Sequence, residues 1–113
     1  SIRLMGWLKD TAEFYDNISL LCQPSVTEGF GIEVLEALAY GRPAFVSDGA
    51  GASDVVPDEC RFPVRDVNCL MKMIDLVKNK NIRPNSDVCH NIAAKYTWNK
   101  VRLMYKDLWR SLL

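Results

Sequence analysis

The feature that most constrains the fold is a strand, a glycine turn and a helix in the stretch 19–43. A short apolar run, residues 19–23, predicts a strand of a parallel sheet covered on both faces. Gly29 and Gly31 follow in a turn, and residues 32–39 carry apolar side chains at the spacing of a helix. Such a turn lets the backbone approach a ligand closely, because glycine tolerates positive φ and the first N–H groups of a helix are unpaired donors. This stretch therefore predicts an α/β fold with a ligand site at the turn.

The rest of the chain predicts more of the same architecture. Further strands are predicted at residues 2–6, 43–47 and 61–64, a single helical turn at 53–56, and helices beginning after Asp10, after Asp66, at Asn85 or Ser86, and after Thr97. The polar run 78–81 predicts a break between two of these helices. Alternating strands and helices followed by helices alone predict an α/β protein, a parallel sheet with flanking helices plus C-terminal helices.

The predicted sheet is expected to be incomplete. In a doubly wound strand order, residues 2–6 would form the far edge, and the strands between them and residues 19–23 have no counterpart in the 113 residues. Residues 1–6 read as an internal strand, so we expect coding sequence upstream of Ser1.

Composition excludes several classes of function. The 113 residues suffice for one domain, and 14 basic residues balance 14 acidic ones, so no net field favours nucleic acid. No apolar run reaches the roughly 18 residues of a membrane span. The spacing of the four cysteines and a lone histidine, His90, predicts reduced thiols and no metal site. We expect a cytoplasmic protein, free or peripheral to the cytoplasmic face of a membrane.

Two carboxylates bracket the glycine turn. Glu28 precedes the helix, and Glu36 lies about 8 Å further along the helix axis. Carboxylates accept hydrogen bonds from the hydroxyls of polyols, while the amides of Gly29, Phe30 and Gly31 at a helix N-terminus suit a diphosphate. A nucleotide-sugar carries these groups in this order. Each feature alone also has an ordinary interpretation, a helix-start turn and surface glutamates, so the residues by themselves leave both readings open.

The joint pattern is more specific. Residues 24–43 spell Pro-Ser-x-x-Glu-Gly-Phe-Gly-x-x-x-Leu-Glu-Ala-x-Ala-x-Gly-x-Pro, which resembles the family 4 type of retaining glycosyltransferases with the two-domain GT-B fold. Weaker similarity extends to residues 4–6, 47–51 and 96–105. The resemblance implies that residues 1–113 are the later portion of the nucleotide-sugar-binding C-terminal domain, a Rossmann-like half of a GT-B fold.

The same resemblance assigns roles to the residues of the turn. It implies that Glu28 is catalytic and binds hydroxyls of the transferred sugar. It implies that Gly29, Phe30 and Gly31 bind the donor through backbone N–H groups, and that Glu36 binds the ribose. The implied reaction moves a hexose, with retention, from a nucleotide diphosphate sugar to a hydroxyl of a saccharide or lipid-linked acceptor, without a cofactor or metal.

Two positions depart from the family pattern. Asp54 stands where the family usually has Glu, and no glycine precedes residues 61–64. The basic pair that neutralises the leaving diphosphate, and the acceptor domain, would precede Ser1. We therefore expect these residues alone to be inactive without an N-terminal domain or a partner chain. The alternatives are a non-catalytic donor-binding subunit or relic, and a GT-B enzyme of the glycogen or sucrose synthase type.

Overall fold

A three-stranded parallel sheet forms the centre of the protein. The computed structural model describes residues 2–80 and 85–113. The strands are β1 (Leu21–Gln23), β2 (Ala44–Ser47) and β3 (Arg61–Phe62), in the spatial order β1-β2-β3. Cys22 lies opposite Phe45, and Ser47 lies opposite Phe62. The predicted α/β class with a parallel sheet is confirmed.

Five α-helices accompany the sheet in the described part of the chain. They are α1 (Thr11–Asn17), α2 (Ile32–Ala39), α3 (Val67–Lys80), α4 (Ser86–Ala93) and α5 (Trp98–Ser111), with 3₁₀ turns at Gly51–Asp54, Asp58–Cys60 and Ala94–Tyr96. The side chains of Asp10, Asp66 and Asn85 accept hydrogen bonds from first-turn N–H groups of α1, α3 and α4. These three predicted helix starts are confirmed, because a side-chain oxygen satisfies donors that the helix leaves unpaired. Thr97 occupies the N-cap position of α5 without a side-chain bond.

The core lies between β2 and the helix that follows the glycine turn. All four residues of β2 are buried, as are Val34, Ala37 and Leu38 on α2. Helix α4 packs against α2 and contributes the buried Cys89 to the same cluster. Burying a leucine such as Leu38 is worth roughly 1.5–3 kcal/mol, so this packing fixes the orientation of α2 on the sheet.

The predicted strand at residues 2–6 is wrong. This segment has no regular secondary structure, and the side chains of Ile2 and Leu4 are 96% and 94% exposed. A strand needs a neighbour to pair its N–H and C=O groups, and no described residue pairs with this segment. The outer edge of β1 is likewise unpaired among the described residues. All three residues of β1 are half-buried, so this strand is not covered on both faces as predicted.

Three boundaries also differ from the predictions. The third strand ends at Phe62, because Pro63 has no N–H to donate to a ladder. Helix α3 continues through Lys80, beyond the start of the predicted break, and Asn81 lies outside the described residues. The predicted turn at 53–56 is a 3₁₀ turn displaced to Gly51–Asp54.

Candidate functional site

The loop that carries Glu28 lies at the carboxyl end of β1. Residues 24–31 lead from the end of β1 into α2, and a single parallel bridge pairs Glu28 with Ala50, which lies beyond the end of β2. The Glu28 loop and the loop that follows β2 therefore both lie at the carboxyl ends of the strands, where parallel α/β folds bind ligands.

A second loop, residues 48–52, holds the first one through its backbone. The N–H of Glu28 donates to the C=O of Gly49 at 3.0 Å, and the N–H of Ala52 donates to the C=O of Phe30 at 2.7 Å. Gly51 is required by close approach, since a Cβ there would overlap the carbonyl oxygen of Gly29. In the structure this second loop supports the candidate site.

Glu28 presents its carboxylate to solvent. The side chain is exposed, and its Oε1 accepts a hydrogen bond from the N–H of the next residue, Gly29, at 3.0 Å. The N–H groups of Phe30 and Gly31 donate to no other group in the described part of the chain. Four consecutive residues thus carry an exposed carboxylate and two N–H groups without a partner in the described residues, of which Phe30 is exposed and Gly31 is buried.

Gly31 begins α2 in a left-handed conformation. Its φ is 88° and its ψ is 70°, and its C=O accepts a hydrogen bond from the N–H of Val34 at 3.1 Å. A Cβ at this position would lie 2.6 Å from Nε2 and 2.7 Å from Oε1 of Gln23. Glycine tolerates this positive φ, and the close approach of Gln23 is a second reason for glycine at position 31.

Glu36 is half-buried and already has a hydrogen-bond partner. The hydroxyl of Tyr15, at the end of α1, donates to its Oε2 at 2.7 Å. Tyr15 is buried, and burial, reinforced by the bond to Glu36, raises the pKa of its hydroxyl well above the usual range. The hydroxyl therefore remains a protonated donor throughout the physiological pH range. The sequence analysis assigned no role in the candidate site to Tyr15.

Two further contacts fix Tyr15. Its ring stacks on the ring of Tyr40, with centroids 5.3 Å apart and planes 25° from parallel. Arg42, just after α2, donates from Nε to the C=O of Tyr15 and from Nη2 to the C=O of Asp16, both at 2.9 Å. The end of α1 is thereby attached to the end of α2, the helix that carries Glu36.

The described residues contain neither a metal-binding cluster nor a membrane-spanning helix. No group of three or more His, Cys, Asp or Glu side chains that could hold a metal ion occurs in 2–80 and 85–113. All four cysteines are free, and Cys60 and Cys89 are buried. No described helix is both long and apolar enough to cross a bilayer.

The fold and this loop define a parallel α/β protein with a candidate ligand site at a strand-to-helix turn. A family model described as "Glycosyl transferases group 1" matches residues 1–79. The chain therefore belongs to the glycosyl transferases group 1 family, and the resemblance to glycosyltransferases of GT-B type is confirmed at the level of the family.

Individual relatives are similar over parts of their length. The chain is 39% identical over 62 residues to protein CapJ of Staphylococcus aureus, covering 55% of this chain and 16% of that protein. It is 30% identical over 98 residues, 87% of this chain, to a UDP-Gal:alpha-D-GlcNAc-diphosphoundecaprenol alpha-1,3-galactosyltransferase of Escherichia coli. It is 28% identical over 114 aligned residues, 89% of this chain, to a glycogen synthase of Bacillus anthracis. The chain spans 24% of the length of each of these two enzymes. No solved structure matches the chain significantly.

Proposed function

We propose that residues 1–113 are the donor-binding part of a retaining hexosyltransferase. The observation that supports this most directly is the arrangement of the turn, in which a solvent-exposed carboxylate, two unpaired N–H groups and a half-buried carboxylate follow one another along the start of α2. The donor is a nucleotide diphosphate sugar, and the acceptor is a hydroxyl of a saccharide or a lipid-linked saccharide. The galactosyltransferase named above, with its diphosphoundecaprenol substrate, favours an acceptor of the second kind.

The residues take distinct roles in this proposal. Glu28 binds hydroxyls of the sugar that is transferred, so it acts at the reacting centre. Gly29, Phe30 and Gly31 donate their N–H groups to the sugar and diphosphate, where the positive end of the α2 dipole favours negative charge, and Gly29 exchanges its bond to Glu28 for one to the ligand. Glu36 accepts hydrogen bonds from the ribose hydroxyls. No cofactor or metal enters the proposal.

Cations for the leaving diphosphate are expected from outside these residues. Charge on a departing diphosphate must be stabilised electrostatically, and an exposed helix end contributes under about 1 kcal/mol. We therefore propose that activity requires an N-terminal domain or a partner chain, and that residues 1–113 alone are inactive. With its free thiols the protein is proposed to work in the cytoplasm or at the cytoplasmic face of a membrane.

The test compares two alanine variants in the full-length natural form of the protein. Glu36→Ala should weaken binding of the free nucleoside diphosphate by roughly 10- to 150-fold, since a hydrogen bond to a charged group is worth about 1.5–3 kcal/mol. Glu28→Ala should leave that affinity nearly unchanged and lower turnover instead, because its partner is the sugar. Calorimetry measures the first effect, and release of nucleoside diphosphate during transfer measures the second.

The matched control lies on the same helix. Glu33 is exposed in the first turn of α2 and is assigned no contact with the donor, so Glu33→Ala should change neither quantity. If Glu28→Ala weakens nucleoside diphosphate binding more than Glu36→Ala does, the assignment of roles is wrong.

A second candidate is a GT-B enzyme of the glycogen or sucrose synthase type, which the similarity to glycogen synthase favours. Transfer of glucose to a glucan primer or to fructose, assayed beside transfer to an undecaprenyl-linked saccharide, separates the two. If the full-length protein binds nucleotide-sugars but transfers to no acceptor, the non-catalytic subunit is favoured.

A further inference from the structure

The hydroxyl of Tyr15 donates a hydrogen bond to one of the two carboxylate oxygens of Glu36, the residue that the proposed function assigns to the ribose. Glu36 Oε2 accepts this bond at 2.7 Å, and Glu36 Oε1 accepts no hydrogen bond from the described residues. Tyr15 is 3% exposed, so its hydroxyl is reached by Glu36 rather than by bulk water. A carboxylate held at one oxygen loses the rotational freedom that a glutamate on an exposed helix face would keep.

The contacts around Tyr15 are those of a fixed support. Two hydrogen bonds from Arg42 hold the last turn of α1. The ring of Tyr40, the residue directly after α2, stacks on the Tyr15 ring. The Tyr15 hydroxyl thus cannot shift without moving the end of α1 against α2. Packing alone does not require a hydroxyl here, because a phenylalanine would stack equally well.

We propose that Tyr15 is a positioning residue for the ribose of the nucleotide donor: by holding Oε2 of Glu36, it orients the carboxylate so that Oε1 accepts from the vicinal ribose hydroxyls. This inference rests on the proposed function, which assigns Glu36 to the ribose. It adds a residue from a different helix to that subsite. Pre-orientation of this kind improves binding because less side-chain entropy is lost when the ligand arrives.

The experiment measures a ratio of affinities that a purely structural role would not change. The full-length natural protein is titrated calorimetrically with UDP, GDP and ADP to find the ribonucleoside diphosphate that binds most tightly. That ligand is then compared with its 2′,3′-dideoxy analogue, which lacks both ribose hydroxyls. The ratio of the two affinities reports the hydroxyl contacts alone, because base and diphosphate are common to both ligands.

Tyr15→Phe should lower this ratio on the order of three- to tenfold while the affinity for the dideoxy analogue stays unchanged. In a Glu36→Ala background the ratio should already be near one, and adding Tyr15→Phe should have no further effect. Tyr40→Phe is the matched control. It removes a hydroxyl from the stacked partner ring that makes no hydrogen bond among the described residues, and it should leave the ratio at the wild-type value.

The outcomes separate this inference from the proposed function. If the wild-type protein does not distinguish the two ligands, the ribose role of Glu36 and the role of Tyr15 are both overturned. If Glu36→Ala abolishes the ratio but Tyr15→Phe keeps it, or lowers both affinities equally, the positioning role alone is overturned. Should Tyr15→Phe not fold, Arg42→Gln decides, since freeing the end of α1 must lower the ratio if Tyr15 positions Glu36, and an unchanged ratio overturns the inference.

Discussion

Gly31 is the position where a single methyl group should disturb the candidate site most informatively. Its φ of 88° lies in the left-handed region, which costs a residue with a Cβ about 1–2 kcal/mol. The added Cβ of Gly31→Ala would also lie 2.6 Å from Nε2 of Gln23, so this amide must move by at least 0.4 Å to reach 3.0 Å, the closest approach that real Cβ atoms show. The Gln23 side chain is half-buried, and its Oε1 is a buried atom without a hydrogen-bond partner in the described residues, so displacing the amide disturbs the packing around it.

The two effects can be separated by a second substitution. Gly31→Ala should lower the free energy of unfolding by about 2 kcal/mol, since the strain of the left-handed conformation adds to the displacement of the Gln23 amide. In a Gln23→Ala background the displacement is absent, and adding Gly31→Ala should cost only about 1 kcal/mol for the conformational strain. Donor affinity should fall in both cases, because the N–H of residue 31 changes direction.

Chemical denaturation of the full-length protein, followed by tryptophan fluorescence, measures these energies, and calorimetry with nucleoside diphosphate measures affinity. Gly29→Ala is the matched control two residues away. A Cβ there meets nothing within 4 Å and its φ is not positive, so its stability should stay within about 0.5 kcal/mol of wild type. If Gly31→Ala is as stable as Gly29→Ala, the geometric reasoning about this turn is wrong.

Two more predictions concern the support of the site and the core. Gly51→Ala should lower donor affinity and stability together, because its Cβ would displace the Gly29 carbonyl and with it the loop that carries Glu28; binding and melting of the variant test this, and unchanged affinity would contradict it. Burial, with Glu59 as the next cause, raises the pKa of Cys60 to about 11 from a usual value of 9.0. The unfolded chain therefore releases this proton first as pH rises, so between pH 9 and 11 stability should fall by up to about 2–3 kcal/mol from this group. The slope of the unfolding free energy against pH reports how many protons the folded and unfolded states differ by, and Cys60→Ala should reduce that difference by close to one proton in this window. An unaltered slope would show that the pKa of the Cys60 thiol is not raised in the folded protein.

Most of the fold was predictable because its signals are local. The helix caps Asp10, Asp66 and Asn85 and the apolar run of β2 each depend on a few neighbouring residues, and all are confirmed. The strand at residues 2–6 failed because a strand exists only where another strand pairs with it, and pairing is not written in five residues.

The candidate site likewise has a part that was predictable from local sequence and a part that depends on contacts between distant residues. Its glycine turn and its two glutamates follow from one continuous motif. The partnership of Tyr15 with Glu36 joins residues 21 positions apart, and the bonds from residues 49–52 to the Glu28 loop span a similar separation. Nothing in the local spacing of Tyr15 distinguishes a tyrosine that donates to a carboxylate from one that merely fills the core. The roles assigned to the two glutamates stay predictions.

The loop before α2 is tied down by main-chain atoms, and this has a consequence for how its chemistry can be altered. The bonds from Gly49, Ala52 and Ser47 to this loop all end on backbone groups, while the side chains of Val26 and Thr27 are exposed and take no part in them. Side chains at positions 26 and 27 can therefore be exchanged while the scaffold beneath them keeps its shape. A library randomised at these two positions should keep its fold, so this short segment beside Glu28 is the place to test for an effect on the proposed donor selection.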